Sequence, residues 1–142
     1  MGSLSAFLKP AYREQKIEIV LGDRFLDEEG KPVPVVMHSL TQEKMQEIAK
    51  ASTRLRKVNG VDVPQIDSME NINRCLVESI SFPDMHNLEL CRAHGTEDPF
   101  KLPSKMFMPG EFAKLAQAFA KLNGIDLDND GFEEIAGNIT KN

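Results

Sequence analysis

The chain has 142 residues, of which 41% are hydrophobic and 27% charged, a composition typical of a globular domain and unlike that of disordered, collagen-like or membrane proteins. Its 17 Lys and Arg residues against 22 Asp and Glu residues give a net charge of −5, which disfavours a nucleic-acid partner. No signal peptide is visible, and no apolar run approaches the roughly 18 residues of a membrane span. We therefore expect a cytoplasmic protein with no membrane partner.

Near the N-terminus, the pattern predicts two paired strands. Apolar residues alternate along 16–21 and again along 33–40, and turn-forming residues fill 27–32 between them. The two runs therefore predict an antiparallel hairpin. Pro34 makes the second run either an edge strand or a strand that starts late, because proline cannot donate to a sheet ladder.

A helical period follows the hairpin. Thr41 is suited to an N-cap, and apolar residues three or four apart along 41–57 predict a helix of about four turns. The predicted end of this helix carries Arg54, Arg56 and Lys57, which suit the negative end of the helix dipole. The alternative for these three cations is a phosphate-binding patch.

Turn signals and helical periods alternate in the rest of the chain. Asn59-Gly60 predicts a tight two-residue turn, and Asp67 and Asn87 predict the caps of two further helices. Residues 98–109 hold three prolines and predict a loop or a broken short helix. The clearest helical stripe consists of five apolar residues spaced three or four apart: Phe112, Leu115, Ala116, Phe119 and Leu122.

Strands first and helices afterwards predict an α+β fold, with a small antiparallel β-hairpin or sheet packed against a bundle of about four α-helices. We expect residues 1–125 to form this single domain. Residues 126–142 carry five acidic residues against one lysine, and we expect them to form an acidic C-terminal tail that includes at most a short helix.

The tail contains the beginning of a calcium-loop pattern. Asp126 to Gly131 reproduces the first six positions of an EF-hand loop. The bidentate glutamate of position twelve is missing, since Gly137 stands there. As an alternative, the same residues open a short terminal helix whose positive end is matched by Glu133 and Glu134. We expect no calcium site.

Other chemistry-bearing residues do not form a recognisable motif. Cys75, His86, Cys91 and His94 lack the paired Cys-x-x-Cys spacing of a zinc knuckle, and two cysteines are too few for a disulfide scaffold. The chain has no glycine-flanked serine elbow, P-loop or dinucleotide fingerprint. We expect no metal, no cofactor, no catalytic residue and no enzymatic activity.

Binding to another protein is the remaining class of function. Met106, Phe107 and Met108 are three large apolar neighbours that cannot all face one core from a helix or strand. Thioethers also suit adaptable binding surfaces. We predict that these three residues and Phe112 contribute to a partner groove, with core packing as the alternative.

Six short segments carry a resemblance to a known family. They read LSAFLKP at 4–10, RFLDEEGKPVP at 24–34, LTQE at 40–43, FPD at 82–84, PGEF at 109–112 and NGID at 123–126. In this order they resemble the XkdN-like tail assembly chaperones of long-tailed phages and prophages, over most of the chain.

The resemblance implies a non-enzymatic chaperone that coats the tape measure protein, keeps it soluble and helps recruit tail tube subunits in the cytoplasm of the bacterial host. Such chaperones are often made in a short form and a frameshifted longer form, and this chain would correspond to the short one. Self-association is a further expectation. The rival hypothesis is a small regulatory or nucleic-acid adaptor that uses the basic end of the first predicted helix.

Overall fold

A computed structural model describes residues 2–11 and 16–125. The helices are α1 (Leu4–Leu8), α2 (Gln42–Ala51), α3 (Ser68–Ser79), α4 (Leu88–Ala93), α5 (Leu102–Met106) and α6 (Pro109–Leu122). The strands are β1 (Lys16–Ile19), β2 (Val35–His38), β3 (Thr53–Val58), β4 (Val61–Ile66) and β5 (Ile80–Phe82). A short 3-10 turn, Pro99–Lys101, leads into α5. The predicted acidic tail and its EF-hand-like run lie outside the described residues.

The first sheet has three antiparallel strands in the order β1-β2-β5. The predicted pairing of the first two strands is confirmed, with Ile17 opposite Met37 and Ile19 opposite Val35. Pro34 immediately precedes β2, so the strand starts late. The edge-strand alternative is wrong, because β5 pairs with the other side of β2.

Helix α3 occupies the centre of the helical layer and packs against α2, α5 and α6. The predicted stripe of α6 is confirmed, since all five of its apolar residues are buried. Buried side chains of the three-stranded sheet and of the helices form one continuous cluster, so the predicted α+β class is confirmed. No helix among the described residues is long and apolar enough to cross a membrane.

The end of α2 differs from the prediction. Thr41 caps the helix as expected, its hydroxyl accepting from the Lys44 N–H at 3.1 Å. The helix then ends at Ala51, where the hydroxyls of Ser52 and Thr53 donate back to carbonyls of the last turn at 2.7 and 2.9 Å. Side chains of this kind compete with helix propagation.

Residues 53–66 form an antiparallel hairpin of β3 and β4. Asn59 and Gly60 have φ values of 53° and 80°, the left-handed conformation that a type I′ turn requires at both central residues. The prediction of a tight turn here is confirmed. Arg54, Arg56 and Lys57 lie on β3, so their assignment to a helix C-terminus is wrong.

The later helices begin where the sequence predicts. The Asp67 carboxylate accepts from the Glu70 N–H at 3.0 Å, and the Asn87 side chain accepts from the Leu90 N–H at 2.9 Å. Of the two alternatives for residues 98–109, the broken short helix is the one that the structure shows.

Candidate partner-binding surfaces

The structure separates the four residues predicted to form a partner groove. Met106, Phe107 and Phe112 are buried in the core, whereas Met108 is 54% exposed. The run crosses a junction, because Met106 ends α5, Phe107 is extended and Met108 caps α6. In this conformation Met108 is the member of the set that offers a large surface to another protein. The other three act as core residues.

An apolar groove lies directly beside this buried cluster. It has a volume of about 340 Å³ and opens between the segment after β1, the end of β5 and α4. Its principal lining residues are Phe25, Leu26, Val33, Phe82, Leu90 and Met106. Leu26 and Phe82 remain about half exposed, so each wall of the groove presents apolar surface to solvent.

Arg24 ties one wall of the groove to the junction of α5 and α6. Its Nη1 donates to Glu111 Oε1 at 2.9 Å, and its Nη2 donates to the Met106 carbonyl at 3.2 Å. The same Glu111 oxygen accepts from the Met108 N–H at 2.8 Å. Charge-assisted bonds of this kind fix geometry well, so the wall is held in place before a partner arrives.

Phe107 is a buried residue that contacts the groove residue Phe25. The ring of Phe25 packs edge-on against it, with centroids 6.0 Å apart and planes at 78°. This is a favourable arrangement for two aromatic rings. Of the predicted Met-Phe-Met cluster, Met106 lines the groove, and Phe107 contacts the lining residue Phe25 from within the core. The walls come from segments that sequence reasoning did not assign to a site.

The α1 helix is a second exposed apolar feature. Leu4, Phe7 and Leu8 are each exposed by 70% or more, and no residue of α1 is buried. A single helical turn with this much exposed apolar surface is only marginally stable by itself. It is an exposed arm on the surface of the protein.

The β3–β4 hairpin forms a third exposed surface, and it is basic. Arg54 pairs with Glu70 on α3, and Arg56 lies 3.7 Å from the carboxylate of Asp67. Both arginines stay about half exposed despite these pairs. Leu55, between them in sequence, is 70% exposed.

A pocket of about 490 Å³, lined mostly by charged and polar residues, lies between the base of this hairpin and α5. The Arg74 guanidinium stacks on Phe100 at 4.3 Å from the ring centroid. The Asn73 amide exchanges hydrogen bonds with Ser104 at 2.9 and 3.2 Å. These contacts join α3 to the 3-10 turn and to α5, so Asn73 and Arg74 help to hold the helical layer together.

The two cysteines are free and buried. Burial raises the pKa of Cys75 from 9.0 to about 12 and also raises that of Cys91. A thiol with a raised pKa is a poor nucleophile at neutral pH. The His86 imidazole lies 3.8 Å from the Glu78 carboxylate. Within residues 2–11 and 16–125, no three His, Cys, Asp or Glu side chains come together as a metal site.

Comparison with known proteins gives relatives that match most of the chain. The YqbN protein of Bacillus subtilis (strain 168) is 32% identical over 126 residues, which cover 87% of this chain and 85% of that protein. The XkdN protein of the phage-like element PBSX from the same organism is 29% identical over the same length and with the same coverage. The crystal structure of YqbN superposes with a TM-score of 0.71 at 26% identity, covering 89% of this chain and 99% of that one.

The match of a family model over most of the chain defines the class of this protein as a phage tail assembly chaperone, a non-enzymatic kind of role. The sequence model of the XkdN-like phage tail assembly chaperones matches residues 4–136. The chain belongs to this family.

Proposed function

We propose that this chain binds the tape measure protein of a phage tail and keeps it soluble until the tail tube assembles around it. The observation that carries the proposal is the apolar groove beside the α5–α6 junction, with Leu26 and Phe82 half exposed on its walls. Family membership supports the general role, and the groove supplies a surface on which that role can operate.

The groove suits the apolar face of an amphipathic helix better than a highly charged segment. Its lining is mostly apolar, and Arg24 is the charged group at its rim. A partner helix can place apolar side chains three and four residues apart into such a groove and leave its polar face in water. A long helical tape measure protein offers many such stripes, so many copies of a small chaperone can cover it.

Tail tube subunits are the second proposed partner, and the host cytoplasm, where tails assemble, is the proposed place of action. A chaperone that covers the tape measure protein lies where incoming tube subunits must dock. The exposed α1 arm, with Phe7 82% exposed, is the apolar surface that we assign to contacts between neighbouring chaperone copies.

The test is co-expression with the tape measure protein encoded in the same phage or prophage. With this chain present, we expect most of the tape measure protein in the soluble fraction and a complex that survives affinity purification. Leu26→Asp is expected to lower the recovered complex by at least about tenfold, because a carboxylate in an apolar groove loses its hydration without gaining a partner.

Val20→Asp is the matched control. Val20 and Leu26 are both 47% exposed, but Val20 does not line the groove. We expect this control to recover the wild-type amount of complex. A tape measure protein that stays insoluble or degraded with and without this chain contradicts the proposed function. Equal losses for the two variants contradict the assignment of the groove.

A further inference from the structure

We infer that the outer edge of β3 binds an acidic, extended segment of a partner protein by strand addition. This surface shares no residue with the apolar groove and does not depend on the tape measure protein as its occupant. Within the described residues, β3 pairs with β4 alone, and its other edge is open.

The register of the hairpin shows which backbone groups are open. In a two-residue hairpin, Val58 and Val61 form the hydrogen-bonded pair that closes the turn, and bonded and non-bonded pairs then alternate. Leu55 and Lys57 fall in non-bonded pairs, so their N–H and C=O groups point away from β4. No hydrogen bond between described residues outside the strand ladder uses these groups.

The two edges of the hairpin are not equivalent. Pro64 lies opposite Leu55, at a position whose N–H would also point outward, and proline has no N–H to offer. The β4 edge is therefore interrupted, as natural proteins often arrange for exposed edges. On β3, the Thr53 carbonyl is already occupied by the Arg54 guanidinium at 2.9 Å. The open stretch begins at Leu55.

The side chains of β3 indicate the chemistry of the incoming strand. Residues 53–66 carry three cations against the single carboxylate of Asp62, in a chain whose net charge is −5. Arg54 and Arg56 share one face, and Leu55 and Lys57 share the other. A strand that alternates acidic and apolar residues would set carboxylates beside the arginines and apolar side chains beside Leu55.

A second copy of this chain is a poor occupant. Antiparallel pairing of β3 with its own copy would place arginine side chains opposite one another, and like charges directly across a sheet are destabilising. Nucleic acid is disfavoured as well, because residues 53–66 contain no aromatic side chain on which a base could stack.

The test uses the full chain and a fluorescent, strand-length peptide in which glutamate and valine alternate. We expect saturable binding in fluorescence anisotropy, weakened by added NaCl, and at least about tenfold weaker binding of the same peptide with lysine in place of glutamate. Absence of binding up to about 1 mM protein would overturn the inference.

Backbone pairing has its own test, in the peptide rather than in the protein. One peptide carries N-methyl groups on its valines and the other on its glutamates, so that each blocks one edge of the strand. Strand addition predicts that one of the two loses at least about tenfold in affinity while the other is nearly unaffected. Equal affinities of the two methylated peptides contradict strand addition.

Matched proline variants test the edge in the protein. Leu55→Pro removes an outward N–H from β3, and Asp62→Pro removes one from β4. We expect the first to weaken binding at least about tenfold and the second less than about threefold. Circular dichroism checks that both variant proteins fold. If one variant does not fold, the two methylated peptides still test strand addition on the wild-type protein. Tighter binding of single-stranded oligothymidine than of the acidic peptide would assign this surface to nucleic acid and overturn the inference.

Discussion

At the scale of single residues, the neighbours Phe107 and Met108 have opposite environments. Phe107 is buried under Phe25, whereas Met108 is exposed at the N-cap of α6. Phe107→Asp would leave an unpaired carboxylate in the core and remove an aromatic contact. We expect it to lower the free energy of unfolding by at least about 3 kcal/mol in urea denaturation.

Met108→Asp is the matched comparison. Aspartate is a favoured N-cap residue, and the exposed side chain at this position leaves no cavity behind. We expect the free energy of unfolding to stay within about 1 kcal/mol of wild type. A large loss for Met108→Asp, or no loss for Phe107→Asp, would contradict the assignment of Phe107 to the core and Met108 to the surface.

Cys75 predicts a dependence of stability on alkaline pH. Its pKa is raised from 9.0 to about 12 by burial, so the folded thiol stays protonated where the unfolded one ionises. Well below pH 9 the thiol is protonated in both the folded and the unfolded state, so Cys75 does not make stability depend on pH. As the pH rises above 9, the unfolded state loses protons that the folded state keeps, and the free energy of unfolding falls.

We expect the loss from this one thiol to reach about 2 kcal/mol between pH 8 and pH 10.5. Cys75→Ala removes the titrating group, so its free energy of unfolding should fall less steeply over the same range. Urea denaturation at several pH values measures both slopes. Equal slopes for the two proteins would show that Cys75 does not have a raised pKa in the folded state.

At the scale of elements, local patterns predicted those helices whose signals lie within one segment. The α6 stripe and the caps Thr41, Asp67 and Asn87 all depend on residues three or four apart, and all are confirmed. The end of α2 was not predictable from periodicity alone, because residues 53–58 fit both a helical stripe and an alternating strand. Asn59-Gly60 held the missing signal, since a turn of this type requires paired strands on both sides.

Strand β5 and the apolar groove could not be predicted from local sequence patterns, because both depend on contacts between distant segments. Ile80–Phe82 continues the apolar period of α3 in sequence, and only its pairing with β2 makes it a strand. The groove combines segments far apart in the chain, from Arg24 to Met106. The Met-Phe-Met run lies beside this groove, and Met106 is the member of the run that lines it. The junction between α5 and α6 buries the consecutive residues Met106 and Phe107 and leaves Met108 exposed, which the residue pattern alone does not predict.

At the scale of the whole molecule, the basic surface and the apolar groove lie on different segments of the chain. The hairpin has an excess of two positive charges within a chain of net charge −5, while the groove is mostly apolar and lies among residues 24–35, 82–90 and 106. Binding at the groove should therefore depend little on salt, and binding at the hairpin should weaken as salt rises. Two surfaces that share no residue are expected to act independently.

This separation predicts that both partners bind at once. The co-purified complex with the tape measure protein should bind the glutamate–valine peptide with an affinity within about twofold of that of the free chain, because sites without shared contacts have a coupling free energy near zero. Fluorescence anisotropy of the labelled peptide, titrated with free chain and with complex, measures both affinities. The complex formed by Leu55→Pro serves as the control, since it should retain the tape measure protein and fail to bind the peptide. If the wild-type complex no longer binds the peptide, the tape measure protein covers the hairpin as well as the groove, and the two surfaces act as one.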